Sequence, residues 1–129
     1  MTDLRGKVML VDDDRQTRLK LTRGIEAQGH QVMAFEGGRA ALDVLAVESF
    51  DLILLDILMP ELDGYEVLKI LGGDPRLSDI PVIVISALED RDAEEKCRTL
   101  GAYAYVTKPV DMVLLGARIT ECLGQRAEN

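Results

Sequence analysis

Residues 52–60, Leu-Ile-Leu-Leu-Asp-Ile-Leu-Met-Pro, constrain this chain more than any other stretch. Four successive aliphatic residues leave no face for water, so they require a strand covered on both sides, the kind found in parallel sheets with helices above and below. Asp56 ends the run. Pro60, four residues on, cannot donate to a sheet ladder and takes the chain out of the sheet. A carboxylate at the carboxyl end of a buried strand stands at the edge where open α/β sheets bind ligands. Taken alone, Asp56 reads as readily as a turn or helix-cap residue.

The remaining pattern fits that strand into a series. Residues 8–11 form a first apolar run that passes directly into Asp12-Asp13-Asp14, and a helix follows to about 28, with Leu21 and Ile25 inward and Gly29 as its stop. Residues 31–35 alternate weakly, as expected near a sheet edge, and Gly37-Gly38 opens a helix with Ala41, Leu42 and Leu45 on one face. Asp63-Gly64-Tyr65-Glu66 has the spacing of a capping box before Val67, Leu68 and Leu71, and Gly72-Gly73-Asp74-Pro75 breaks that helix. Residues 82–85 are the most β-branched run and predict a central strand ending at Ser86-Ala87. A helix over about 90–100 turns Ala93, Cys97 and Leu100 inward, with Gly101 after it. Residues 103–106 predict a fifth strand ending at Thr107-Lys108-Pro109, and a last helix over about 111–123 buries Leu115, Ile119 and Cys122 or Leu123. Alternating strands and helices imply a doubly wound α/β fold with a five-stranded parallel sheet and right-handed crossovers.

At 129 residues this is one domain, expected over 1–125, with a polar tail at 126–129 and no effector domain in the chain. A formal charge of −8 argues against direct nucleic-acid binding, which needs a basic face. No apolar stretch approaches the roughly 20 residues of a membrane span, and the N-terminus lacks a signal-peptide core, so a cytoplasmic location is expected. Cys97 and Cys122 have neither metal-site spacing nor disulfide-scaffold density, and read as reduced thiols.

In a parallel sheet every strand's carboxyl end points to the same edge. That edge gathers Asp12 and Asp13, Asp56, Ser86 and Lys108. Three carboxylates repel one another and resist dehydration unless a cation neutralises them. An open site of hard oxygen donors suits Mg²⁺, with Mn²⁺ an alternative. Capping of the first helix can occupy Asp14 or a neighbour, but it does not explain a lysine and a hydroxyl at the same edge. Asp56 can then act as nucleophile toward a phosphoryl group, with the metal and Lys108 on its oxygens, a hydrogen bond from Ser86, and Ala87 small enough to admit a donor.

These residues resemble the receiver domain of two-component response regulators. The resemblance rests on Val11-Asp12-Asp13, Leu55-Asp56 with Met59-Pro60, Asp63-Gly64, Ser86-Ala87, Gly101-Ala102, and Tyr105 with Lys108-Pro109. It covers nearly the whole chain, in order and spacing. It implies a flavodoxin-like, CheY-like fold with sheet order 2-1-3-4-5, and phosphoryl transfer to Asp56 from a sensor histidine kinase or histidine phosphotransfer protein. It further implies Mg²⁺ held by Asp13, Asp56 and the Leu58 carbonyl, with Asp12 assisting through water. Ser86 and Tyr105 would form a switch pair, and Lys108-Pro109 a cis peptide. Leu58 and Leu88 fall at the two positions that flank access to the phosphoryl group. Output would pass through the face of the fourth helix, fifth strand and fifth helix, to a downstream protein, an effector domain outside this chain, or a second copy in a homodimer.

Other classes fit less well. An aspartyl-phosphate phosphatase of the haloacid-dehalogenase kind carries Asp-x-Asp after its first strand, whereas Asp56-Ile57-Leu58 has no acid at that place. Turnover catalysis is therefore not expected. A flavin module would need a phosphate loop where Asp12-Asp13-Asp14 repels phosphate. A phosphate-blind relative would lack site residues that are all present. The segments 74–81 and 107–111 are reminiscent of receivers joined to cyclic-nucleotide-signalling enzymes. His30 reads as a solvent-facing loop residue, Tyr103 as packing or edge surface, residues 89–95 as a solvated helix start, and the five methionines as core.

Overall fold

The computed structural model describes residues 5–128, with side chains as far as 125. Five strands, β1 (Lys7–Val11), β2 (Gln31–Phe35), β3 (Leu52–Asp56), β4 (Val82–Ser86) and β5 (Ala104–Thr107), alternate with five helices. The helices are α1 (Arg15–Ala27), α2 (Gly38–Leu45), α3 (Gly64–Gly73), α4 (Arg91–Thr99) and α5 (Met112–Glu128). The sheet is wholly parallel in the order β2-β1-β3-β4-β5. This is the flavodoxin-like arrangement. β3, fully buried along its length, is the middle strand, and β4 lies between β3 and the edge strand β5.

Side-chain alternation sorts the core into two layers. Val8 and Leu10, Leu52 and Leu54, and Ile83 and Ile85 face α1 and α5, where they meet Leu21, Ile25, Leu115 and Ile119. Met9 and Val11, Ile53 and Leu55, and Val82 and Val84 face α2, α3 and α4, where they meet Leu45, Leu68, Leu71 and Cys97. Every residue of β3 and β4 is thus buried, one side chain up and the next down. Burying a single Leu or Ile this way contributes about 1.5–3 kcal/mol, so these two strands hold much of the driving force for folding.

Local signals set the helix ends. Asp14 caps α1 by accepting the Thr17 N–H, and Asp63 and Glu66 complete the capping box of α3. The α3 stop falls inside the expected Gly72-Gly73-Asp74-Pro75 segment. Gly72 and Gly73 remain helical, and the break comes at Asp74, because the residue before Pro75 is driven out of the helical region. α5 runs to Glu128, past the expected helix end at about 123 and the expected domain boundary at 125, so part of the segment read as a polar tail continues the helix. Both Cys122 and Leu123 are buried, as are Met9 and Met59; Met1 lies outside the described residues.

His30 corrects another expectation. It is buried, and its Nδ1 accepts the Gly6 N–H at 3.1 Å. Gly29, with φ +98°, turns the chain sharply off α1 into β2, and that turn carries the imidazole under the start of β1 rather than into solvent. Burial holds its pKa below the usual histidine value.

Gly64 marks the closest approach of a helix to the sheet. A Cβ there would stand 2.5 Å from the Asp56 carbonyl oxygen and 2.6 Å from Ile57 Cα, both backbone atoms that cannot step aside. At Gly73, in the last turn of the same helix, a Cβ would meet nothing within 4 Å. Gly64→Ala is expected to destabilise the fold by about 1–3 kcal/mol, and Gly73→Ala to stabilise it by about 0.5–1 kcal/mol. Urea unfolding of the two variants beside the parent checks both signs, and equal effects at the two sites would refute the close-approach argument.

Candidate functional site

Strand parity builds the site. Asp56 closes β3 in the parity of Leu52 and Leu54, the side that faces α1 and α5, whereas Ser86 closes β4 in the parity of Val82 and Val84, the side that faces α2, α3 and α4. Asp12 follows β1, and Lys108 follows β5, in the parity of Asp56. Asp12, Asp56 and Lys108 therefore reach the carboxyl edge on one side of the sheet, and Ser86 reaches the same edge from the other.

Two buried carboxylates share one ammonium there. Asp12 has no exposed surface, and its Oδ2 lies 2.9 Å from Lys108 Nζ. No other group reaches this oxygen, so the Lys108 ammonium is its one partner among the described residues. Its Oδ1 accepts the Asp14 N–H at 2.9 Å. Asp56 is 3% exposed; its Oδ2 lies 3.5 Å from Lys108 Nζ and its Oδ1 accepts the Leu58 N–H at 3.3 Å. Burial, and after it the neighbouring Asp12 charge, push the Asp56 pKa up to about 6, against the opposing pull of Lys108. Burial alone would lower Lys108, but Asp12 and Asp56 outweigh it and hold the ammonium above its ordinary value.

Asp13 is exposed beside this pair. One carboxylate oxygen from each of Asp12, Asp13 and Asp56 lies within 4.8 Å of the others. Hard oxygen donors, a net negative charge and a buried Asp12 oxygen met only by the Lys108 ammonium it shares with Asp56 fit a divalent cation of the Mg²⁺ type.

Ser86 and Tyr105 converge on a third residue, which sequence reasoning did not single out for its backbone. Ser86 is fully buried, and its Oγ accepts the Leu88 N–H at 3.1 Å. The Tyr105 hydroxyl donates to the Leu88 carbonyl at 2.6 Å. Both ends of the Leu88 backbone are thus held, while its side chain packs with Tyr105 against the α2–α4 side of the core. Leu58, by contrast, is 52% exposed and stands apart on the rim. Ala87 is exposed next to Ser86. The Lys108–Pro109 peptide is cis, and the Lys108 N–H donates to the Ser86 carbonyl at 2.8 Å.

Three features of the site were not read from the sequence. Arg18 Nη1 donates to the Asp12 carbonyl at 2.8 Å, tying the first turns of α1 to the acidic turn. Glu61 sits at φ +65° in the loop between β3 and α3, a conformation that L-residues adopt at a cost. Gly64 lets α3 press against the Asp56 carbonyl. Only Arg18 had a local signal, four residues after the helix cap, where a long side chain can reach back over the N-terminus.

Comparison with known proteins follows the same lines. Residues 8–120 match the family model of the response regulator receiver domain. Over 112 residues, 87% of its length, the chain is 38% identical to a probable cyclic di-GMP phosphodiesterase of Vibrio cholerae, spanning only 25% of that protein. It is 37% identical over 119 residues to the polar-differentiation response regulator DivK of Brucella ovis, covering 92% of this chain and 97% of DivK. Among solved structures, the signal receiver domain of a histidine kinase from Syntrophus aciditrophicus superposes with a TM-score of 0.86 at 33% identity, covering 93% of this chain and 91% of that one. The receiver domain of the Francisella response regulator 1452 gives 0.89 at 29% identity, covering 95% and 99%. With the parallel sheet, the paired buried carboxylates and the lysine at its carboxyl edge, the chain belongs to the response regulator receiver domain family.

Proposed function

We infer that this domain is a phosphorylation-controlled switch whose acceptor is Asp56. The observation that carries the reading is a buried carboxylate flanked by Asp12 and Lys108 at the sheet's carboxyl edge. A phosphohistidine of a sensor kinase or phosphotransfer protein is the donor. An Asp56 oxygen attacks phosphorus, the O–P bond forms as the N–P bond breaks, and the electron pair leaves on the donor imidazole. Lys108 meets one phosphoryl oxygen, and Ala87 leaves the approach open. Asp12, Asp13, Asp56 and the Leu58 carbonyl would hold Mg²⁺, or Mn²⁺ in its place. Bound there, the ion supplies charge neutralisation for the acids and the phosphoryl oxygens.

The response runs through Leu88. A phosphoryl group adds nearly two negative charges and three acceptor oxygens. Drawing the Ser86 hydroxyl toward them removes the acceptor of the Leu88 N–H, and Tyr105, bonded to the Leu88 carbonyl, is coupled to the same segment. The face of α4, β5 and α5 then shifts in population between two shapes. Output goes to a downstream protein, to an effector domain of a longer chain as in the phosphodiesterase relative, or to a second copy through that face. No helix among the described residues is long and apolar enough to cross a membrane.

Acetyl phosphate with Mg²⁺ is expected to add one phosphoryl group to the protein, seen as intact mass, and Asp56→Asn to abolish it. A metal-independent adduct, or one that persists in Asp56→Asn, refutes the assignment.

Stability against pH tests the electrostatics separately. The folded Asp56 pKa is about 6, above the ordinary carboxylate value, so the folded state holds its proton more tightly. Stability is therefore lost as pH rises from about 4 to about 6. The full difference corresponds to about 3 kcal/mol, which solvent screening reduces to about 1–2 kcal/mol. Without divalent cations, Asp56→Asn should melt higher than the parent at pH 7.5, the gap closing toward pH 4. Mg²⁺ should narrow it at pH 7.5 by stabilising the parent. A gap independent of pH would be a packing effect instead.

The phosphorylated state is expected to be long-lived. Hydrolysis needs a water held in line behind phosphorus, and neither Leu58 nor Leu88 offers a group to hold it. Leu58→Asn with Leu88→Glu should speed autodephosphorylation roughly tenfold, or about 1.4 kcal/mol of barrier. Decay no faster than the parent, followed by radiolabel loss, would assign both leucines to packing alone.

A further inference from the structure

Asp13 stands among the acids of the site without a hold of its own. It is exposed, and among the described residues its carboxylate takes part in no hydrogen bond or ion pair. Asp12, by contrast, is held at several points. Its N–H donates to the Phe35 carbonyl at 3.0 Å, its Oδ1 accepts the Asp14 N–H at 2.9 Å, and its Oδ2 meets Lys108. Yet an Asp13 oxygen lies within 4.8 Å of oxygens on both Asp12 and Asp56. The backbone that carries Asp13 therefore sets where its carboxylate stands.

Two peptide planes flank the Asp13 Cα. The one after it is fixed by Asp14, whose N–H bonds to Asp12 and whose side chain caps α1. The one before it carries the Asp12 carbonyl, and the bond that holds it comes from Arg18 Nη1 at 2.8 Å. A peptide unit is planar, so pinning its carbonyl stops it rotating and fixes the direction in which Asp13 leaves the strand.

The helix places Arg18 for this contact. Its N–H donates to the Asp14 carbonyl at 3.0 Å, and helical side chains lean back over the turn that precedes them. The side chain is half-buried and forms no ion pair among the described residues, although it stands beside an acidic turn. A cation near the amino end of a helix works against the backbone dipole, so helix stability does not account for it. Spent on a carbonyl, the guanidinium braces the turn and takes up no carboxylate oxygen of the site.

We propose that Arg18 is a positioning residue for divalent-cation binding, holding the 12–13 peptide so that Asp13 converges with Asp12 and Asp56. This rests on those three acids being the metal set. Removing Arg18 has two physical effects of opposite sign. Loss of a positive charge beside three acids strengthens their attraction for a divalent cation. Loss of the brace lets Asp13 swing away and weakens it. The positioning role requires the second effect to win.

The test titrates the whole chain with MgCl₂ in the absence of any phosphodonor, followed by amide NMR shifts. Arg18→Met is expected to weaken Mg²⁺ binding about tenfold, the low end of what losing a group that orients metal ligands costs. Arg18→Gln, neutral and too short to bridge the same gap, carries the same expectation where Arg18→Met folds poorly. Arg15→Met removes an exposed cation from the same end of α1 and is expected not to weaken binding. With acetyl phosphate added, the Mg²⁺ concentration for half-maximal phosphorylation of the Arg18 variants should rise by the same factor. Raising Mg²⁺ should bring their rate back toward the parent's, a recovery that loss of folded protein does not give. Mg²⁺ binding as tight as the parent's, or tighter, in the Arg18 variants overturns the proposal. So does an equal weakening in Arg15→Met. A parent that binds no Mg²⁺, or whose binding survives Asp13→Asn unchanged, instead removes the metal set beneath the proposal.

Discussion

Two buried acids facing one ammonium is the constraint on which this structure turns. Asp12 and Asp56 lie almost wholly out of water, 2.9 and 3.5 Å from Lys108 Nζ. One positive charge cannot balance two negative ones in a dry site, so part of the negative charge is left to a proton or a cation. The raised pKa of Asp56 expresses that imbalance. The fold maintains it because the carboxylates stand at the ends of strands whose other residues are buried on both faces. Turning Asp56 toward solvent would require shifting β3 within the sheet, at the expense of the apolar burial that holds the sheet together.

Features encoded in short range were legible in the sequence. The aliphatic runs fixed the interior strands, the capping box fixed the start of α3, and parallel order brought Asp12, Asp56 and Lys108 to one edge. Features that depend on what a turn leads to were not. Nothing beside His30 in the sequence indicates that Gly29 swings it against the Gly6 amide, because its partner lies 24 residues away. The stop of α3 depended on Pro75 more than on the glycines before it, and α5 continues to Glu128 despite its polar composition.

At the site, residue types were legible and their partners were not. Ser86 and Tyr105 stood out by position, but the structure joins them through the Leu88 backbone, whose hydrogen bonds no side-chain pattern announces. Leu58 and Leu88 looked equivalent as two apolar residues beside the site. The structure separates them, with Leu58 on the rim and Leu88 packed against the core.

The same contrast in packing bears on which element can respond. α3 is seated by Val67, Leu68 and Leu71, and α5 by Leu115, Ile119, Cys122 and Leu123. α4 buries only Ala93 and Cys97 within its span, two of the smallest apolar side chains. At about 25 cal/mol per Å² of apolar surface, so small a footing anchors α4 less than a leucine stripe would. One further brace crosses to α3, where Lys96 Nζ lies 4.0 Å from the centre of the Tyr65 ring, worth about 0.5–1 kcal/mol at an exposed position. Leu88, held at its N–H by Ser86 and at its carbonyl by Tyr105, lies just ahead of the Asp90 cap of this helix. The segment that senses the buried end of β4 therefore leads directly into the helix with the weakest apolar footing. Elements of low local stability are the ones a small energetic input can move. On the proposed phosphorylation, a charge change at Asp56 would meet a fully buried strand on one side and a lightly anchored helix on the other, and the difference in anchoring points to α4 as the element that yields.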